Sequence, residues 1–364
     1  FIIFLLNCED KSLHKDVACE SPNNPSQIEA SPEMFLRTYG DRNNNSGEFV
    51  FQSNDNTYIV GGSTYDHELD SQTFWIMKID EMGDSLWVKT TSDFGVFNTS
   101  MEPTSDGGYL IFGNTEDSND DWDIIVSKID SEGNNEWIKT FGRNNDSEGA
   151  YAALETSDGG YIITGYADDY EQINSYPYSA LYTDILIIKL DANGNKLWQK
   201  KIRDHETGYA YDIVEDIEGN LIIAGYVRYV IGVWRQNDGY LLKLDSEGNK
   251  IWSRWYASEG MSNDGIDVDE KFYALEQTFD GGYIIAGSTN RLGWLLKTNF
   301  IGEPEWEYLH NGGGGNNHLT LNSVQPTSDG GVITTGALYN LRYGLYDDTW
   351  NDKDGLLIKV NGLG

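Results

Sequence analysis

Carboxylates are the chemical group this sequence supplies in excess: 59 Asp and Glu stand against 25 Lys and Arg, a formal charge of -34. Two suitably separated carboxyl groups suffice for glycoside hydrolysis, so a polysaccharide-active hydrolase or lyase using a carboxylate pair is one reading. Five histidines occur, His14 ahead of the repeats described below, which leaves few for a multi-histidine metal centre. Neither a Gly-x-Ser-x-Gly elbow nor a Walker-type phosphate loop is found. The two cysteines, Cys8 and Cys19, also precede the repeats, so the body has neither a Cys–His nucleophile nor a disulfide. Such a surface excludes nucleic acid as a partner, because backbone recognition needs positive charge, and attracts cations instead.

Several acids recur at fixed places. Asp123, Asp184, Asp238 and Asp354 each come just ahead of a predicted third strand, where a carboxylate can accept backbone N–H bonds and fix a turn. The alternative is a calcium-type site, since oxygen ligands suit hard cations. Its candidates are Asn119, Asp120, Asp121 and Asp123, then Asp347, Asp348, Asp352 and Asp354, neither group having EF-hand spacing. No cofactor is expected, Ca2+ being the ion these oxygens would take. Another set, Gln52, Glu102, Glu155, Glu215, Glu276 and Gln325, falls once per repeat at the end of a predicted first strand. These side chains either line a central channel or, the favoured reading, bond to the adjacent repeat's backbone. Buried together, like charges would raise one another's pKa.

The elements that position these groups are repeats of 50 to 60 residues. The turn Asp-Gly-Gly-Tyr recurs at Asp106, Asp158 and Asp280, as Asp329-Gly330-Gly331-Val332, and in weaker form at Asp55 and Glu218. Each begins a short apolar strand that stops at Gly61, Gly113, Gly165, Gly225, Gly287 or Gly336. A second hairpin follows, from Ile79-Asp80 through Gly83 to Trp87, and likewise to Trp137, Trp198, Trp252 and, in degenerate form, Trp306. One tryptophan at one strand position per repeat is what packing between sheets requires. Six four-stranded sheets, apolar on both sides, call for radial stacking, so an all-β, six-bladed β-propeller is predicted for residues 34 to 364. The sixth copy lacks its last strand, and Phe35–Gly40 reads like Trp137–Gly142. The N-terminal strand is therefore expected to pair in the last blade and close the ring, removing two open edges.

With the four strands of each repeat called A to D in chain order, the A–B and C–D hairpin turns share one face, and the longer, irregular B–C and D–A connections share the other. Connections outside the repeat constraint are where recognition is placed on a rigid scaffold. Their candidate ligand-binding residues are Tyr170, Tyr176, Tyr178, Arg228, Tyr229, Trp234, Arg235, Trp255, Tyr256, His310, His318, Tyr343 and Trp350. Amphipathic rings beside hydrogen-bonding groups suit a glycan or a protein surface, although such rings also pin long loops to sheet edges.

Phe1-Ile2-Ile3-Phe4-Leu5-Leu6-Asn7-Cys8 reads as the end (residues 1–7) of an apolar signal segment, too short to span a bilayer. It resembles the lipobox of bacterial lipoproteins, which implies that Cys8 carries the lipid anchor. The following Glu9-Asp10-Lys11 resembles the surface-display signal of Bacteroidetes lipoproteins, with the periplasmic side as alternative. Residues 8 to 33 are expected to be that anchor and a flexible tether. The body resembles the repeat propellers of secreted and surface proteins of Bacteroidetes, which read T-x-D-G-G-Y-[IL]-[IV]-x-G and K-[IL]-D-x-x-G-x-x-x-W. Thr156, Asp158, Gly159, Gly160, Tyr161, Ile162, Ile163, Gly165, Lys189, Leu190, Asp191, Gly194 and Trp198 meet the pattern. It is more distantly similar to the quinoprotein-like superfamily, but Glu132, Asn193 or Glu247 replaces that pattern's Thr, so quinone binding is not carried over. Together these imply a non-catalytic binding or scaffolding protein on the outer membrane, recognising a protein partner or a glycan, or else a calcium-stabilised adhesin.

Overall fold

Strand B of the second to fifth repeats is a run of apolar residues, and the computed structural model shows why: these strands are covered on both sides, whereas those of the first and sixth leave Val60 half-buried and Thr335 exposed. The structure describes residues 38–39, 44–53, 55–66, 71–90, 96–116, 121–142, 147–170, 181–204, 207–231, 234–257, 269–312, 318–340 and 352–361. Every repeat lies in one packed body, Tyr39–Gly364.

The first repeat comprises β1 (Asn44–Gln52), β2 (Tyr58–Asp66), β3 (Ser71–Ile79) and β4 (Ser85–Thr90). The second comprises β5 (Val96–Pro103), β6 (Tyr109–Glu116), β7 (Trp122–Ile129) and β8 (Asn135–Phe141). The third is β9 (Glu148–Glu155), β10 (Tyr161–Tyr170), β11 (Leu181–Leu190) and β12 (Lys196–Ile202), and the fourth is β13 (Thr207–Glu215), β14 (Leu221–Ile231), β15 (Trp234–Leu244) and β16 (Lys250–Tyr256). The fifth is β17 (Glu270–Gln277), β18 (Tyr283–Thr289), β19 (Leu292–Thr298) and β20 (Pro304–His310). The sixth has three strands, β21 (His318–Pro326), β22 (Val332–Asn340) and β23 (Asp352–Val360). Neighbouring strands within a repeat are antiparallel, and a parallel bridge from Thr183 to Thr207 joins the third and fourth repeats into one eight-stranded sheet.

Two packing devices repeat. Lysines at one position of strand C, Lys78, Lys128, Lys189, Lys243, Lys297 and Lys359, each reach the aspartate of their own A–B turn, Asp55, Asp106, Asp158, Asp216, Asp280 or Asp329, at 2.7–3.1 Å. All but Lys359 are buried. The pair also orders the turn, because Asp106 Oδ1 accepts from Gly108 N and Thr104 Oγ1. Between repeats, a tryptophan ring presses on the glycine of the next C–D turn: Trp87 on Gly133, Trp137 on Gly194, Trp198 on Gly248 and Trp252 on Gly302. Those glycines hold φ of 74–77°, which a side chain tolerates poorly, and an added Cβ would meet the ring.

The closed six-bladed ring expected from the sequence is not formed. Five hydrophobic clusters join successive repeats, first to second through fifth to sixth, and among the described residues none joins the sixth to the first. The sixth sheet ends at β23, with no fourth strand among the described residues. Of the segment meant to supply it, Thr38 and Tyr39 are described; neither lies in a strand, and the Tyr39 hydroxyl donates to Gly83 O in the first repeat at 2.5 Å. Similarity to Trp137–Gly142 concerns residue types, and a strand also needs an aligned partner ladder. The architecture is an all-β series of repeated sheets in which no sheet closes on itself.

The strands also run further than expected into the variable connections. Arg228, Tyr229 and Arg235 pair as ladder residues with Asn237, Gln236 and Val230, and Ile231 faces Trp234.

Candidate functional site

Every first strand carries one residue too many for its ladder. Pairing of strand A with strand B slips between Gly47 and Phe49, Phe97 and Ser100, Ala150 and Ala152, Ala210 and Asp212, Phe272 and Ala274, and Leu321 and Ser323. Such bulges bend a strand and re-aim the side chains around the inserted residue. In the third to fifth repeats the extra residue is a tyrosine: Tyr151, Tyr211 or Tyr273. Each lies five residues before the first residue of the following turn, Thr156, Asp216 or Thr278.

These strands converge on a cavity of about 230 Å³, to which the second through sixth repeats all contribute. Tyr151, Tyr211 and Tyr273 line it with Glu102, Asp212 and Glu276, and Ser100, Asn322, Ser323 and Gln325 add polar groups. No lysine or arginine is among the lining residues. The tyrosine rings form a continuous contact, Tyr151 to Tyr211 at 4.8 Å and Tyr211 to Tyr273 at 5.4 Å between centroids. Behind them stand Tyr166, Tyr209 and Tyr226, with Tyr209 stacked on Tyr226 at 5.1 Å. Lys271 Nζ sits 5.1 Å from the Tyr226 centroid on the outer side of this group.

The cavity carboxyls are poor acids. Burial lifts Glu102 to about 7, helped by the charges of Asp212 and Glu276. Burial likewise lifts Asp212 to about 7 against two backbone donors, Leu275 N at 2.8 Å and Ile213 N at 2.8 Å. Part of the Asp212 surface faces the cavity, while protein atoms surround it at depth. Glu276 is raised by burial, partly offset by the amide of Gln325, which donates to it. Near neutral pH this group therefore offers both O–H donors and carboxylate acceptors.

The six acids and amides placed together by the sequence divide over two registers. Glu155 and Glu215 pair with Tyr161 and Leu221, the first residues of strand B, whereas Glu102, Glu276 and Gln325 pair one residue further in. One step along a strand reverses the side chain. Glu155 thus accepts from Ser105 N and Oγ at 2.5 and 2.8 Å in the preceding repeat, and Glu215 from Ser157 N and Oγ at 2.7 and 2.9 Å. Glu102 and Glu276 turn to the cavity instead. Gln52 is exposed.

Other candidates lie elsewhere. Tyr256 is buried against Phe272 and donates to Gly302 O at 2.6 Å, and Arg228 Nε donates to Asn237 Oδ1 at 2.8 Å. Trp255 is 60% exposed. His310 contacts Tyr308 at 3.2 Å; His318 lies against Tyr339, its pKa lowered by burial and then by Arg291. Tyr170, Tyr229, Trp234, Arg235 and Asp352 sit in strands, with their side chains outside the description. Cys8, Asp120, Tyr176, Tyr178, Tyr343 and Trp350 fall outside the described residues. Asp184 binds Arg203 through Nε at 2.7 Å and Nη2 at 3.0 Å, inside β11 rather than ahead of it. Asp123 and Asp354 likewise lie within β7 and β23, and Asp121 just before β7. Among the described residues no three His, Cys, Asp or Glu side chains are grouped to hold a metal ion.

No family model matches the chain, and no curated protein matches it. Among solved structures, puromycin hydrolase is similar at a TM-score of 0.49 and 10% identity, over 82% of this chain and 45% of that one. A eukaryotic initiation factor gives 0.39 and 12%, over 73% and 55%. The β-propeller domain of the Trilobed protease from Pyrococcus furiosus gives 0.32 and 10%, over 81% and 92%. The chain spans about half the length of the first two. Likeness at this level assigns neither kinship nor activity.

Proposed function

We propose that the chain is a non-catalytic binding protein whose central cavity receives a sugar residue of a glycan. The observation that carries this reading is the meeting of three tyrosine rings with three carboxyl groups in one small cavity. Aromatic faces suit the C–H side of a sugar ring, and carboxyls that both donate and accept suit its hydroxyls. Titration calorimetry against a panel of oligosaccharides tests it. Binding that Tyr211→Ala and Asp212→Asn each weaken at least tenfold supports the proposal; heat from no sugar, or heat indifferent to both variants, ends it.

One observation favours a second reading, hydrolysis of the bound glycan: two carboxyls with pKa near 7 share the cavity, as acid catalysts do. Released reducing ends with a bell-shaped pH profile would select it over binding alone. Attachment to the outer-membrane surface through Cys8 belongs to the same proposal. Mass spectrometry of the detergent-extracted protein lacking an acyl group on Cys8 would remove that part.

A further inference from the structure

The A–B and C–D turns are short and nearly uniform, and the fourth and fifth repeats break that uniformity. The slot that holds Ser105, Ser157 and Ser328 elsewhere holds Ile217 and Phe279, which are 96% and 81% exposed. In the C–D turn, Phe300 and Ile301 stand where the other repeats have Glu81-Met82, Ser131-Glu132, Ala192-Asn193 and Ser246-Glu247; the first repeat shares an apolar second residue, Met82, while Phe300, 62% exposed, has no large apolar counterpart.

The exchange is coordinated across the junction. Ser105 and Ser157 are each held by a glutamate of the next repeat, and the position matching those glutamates beside Ile217 is Gln277. Neither turn needs an apolar residue for its shape. Asp280 still accepts from Thr278 Oγ1 at 2.5 Å and Gly282 N at 3.0 Å, and Asn299 still accepts from Ile301 N and Glu303 N. Both turns close the same end of the β17–β20 sheet. Arg254 Nε, donating to Ile301 O at 2.9 Å, and Trp252, resting on Gly302, hold the fourth repeat against this end. Ile217, Phe279 and Phe300 thus stand on one rigid face in water, without a turn-forming role, with the partly covered Ile301 beside them.

We infer that this turn face docks a protein partner through a segment whose apolar side chains are ringed by Lys or Arg. The basic rim follows from charge complementarity. Asp280, Glu303 and Glu305 flank the apolar residues with exposed side chains; against these three acids stand two cations, Lys297, buried between Asp280 and Glu305, and Arg254, 3.9 Å from Glu303, so the rim keeps a negative excess. A second copy would bring acid against acid, and an anionic bilayer would be repelled by the -34 charge. The surface is separate from the cavity and stands whether or not a glycan binds there.

Fluorescence anisotropy of the full chain with two labelled peptides tests the inference: one alternating Leu and Lys, the other alternating Ser and Lys at equal charge. The expected result is at least tenfold tighter binding of the Leu–Lys peptide, lost in Phe279→Ser/Phe300→Ser. Ile217→Ser, a single change at a turn tip, should lose about half of the logarithmic preference with unaltered thermal unfolding, so misfolding of the double variant does not blur the answer. Equal affinity for the two peptides, or a preference that both variants retain, overturns it. So does self-association in ultracentrifugation, or adsorption to phosphatidylcholine vesicles, that the variants abolish.

Discussion

The same functional group meets opposite fates in two regions of this molecule. At the hairpin turns, Asp55, Asp106, Asp158 and Asp280 are each pushed down to about 2 by a lysine, a hydroxyl and a backbone N–H. In the cavity, Glu102 and Asp212 are pushed up to about 7 by burial beside other acids, with no cation among the lining residues. The lysine–aspartate pair occurs in all six repeats and holds the scaffold, with Asn220 in place of the hydroxyl in the fourth; the acid cluster occurs once, where repeats differ. Repetition marks architecture, and departures from it mark the places where a ligand could make a difference.

The contrast can be broken most severely at the fourth repeat. Both members of the Lys243–Asp216 pair are buried, so Asp216→Ala should lower unfolding stability by about 3 kcal/mol in urea titration, leaving an uncompensated ammonium. A loss under about 0.5 kcal/mol would show that the turn pairs are ornamental. Gly194→Ala should cost about 2 kcal/mol, because it adds a strained φ and a clash with Trp137. Gly159→Ala, at a similar φ in open space, should cost about 1 kcal/mol, and the difference isolates the ring contact.

Acid and base sharpen the comparison further. Depressed turn aspartates contribute stability above their unfolded pKa near 4, and it is lost as pH falls through about 2; raised cavity acids contribute below about 4, and that is lost as pH rises through about 7. Glu102→Gln/Asp212→Asn should therefore flatten the decline between pH 4 and 8 by about 1 kcal/mol while leaving the acid limb intact. Parallel curves for variant and parent would show that these carboxyls are ordinary. The smallest effect is expected at Glu215→Gln, about 0.5 kcal/mol, since its bonds to Ser157 are exposed.

Much of the scaffold was readable in the sequence because turn chemistry is local. Asp106-Gly107-Gly108 and Asp130 through Gly133 announce their hairpins by residue type alone, and the recurring tryptophan announces its packing. Closure was not readable: Phe35–Gly40 carries the letters of a fourth strand, but strand pairing is a relation with a distant segment. The two-register split of Glu102 and Glu155 was equally hidden, since one inserted residue reverses a side chain without altering the apparent alignment. The strand-C lysines were visible as a motif, yet their aspartates lie beyond connections of variable length. The cavity tyrosines did leave a trace, the constant five-residue offset from the turn, which emerges when the repeats are aligned from their turns backwards.

The bulge that creates this offset separates two kinds of evolutionary freedom. Its inserted residue belongs to no ladder pair and to none of the five inter-repeat clusters, so Tyr151, Tyr211 and Tyr273 answer to one another and to the rings behind them rather than to the sheet ladders. A chain built this way can alter what its centre accepts by changing that one group of rings, while the hydrogen-bonded ladders stay as they were.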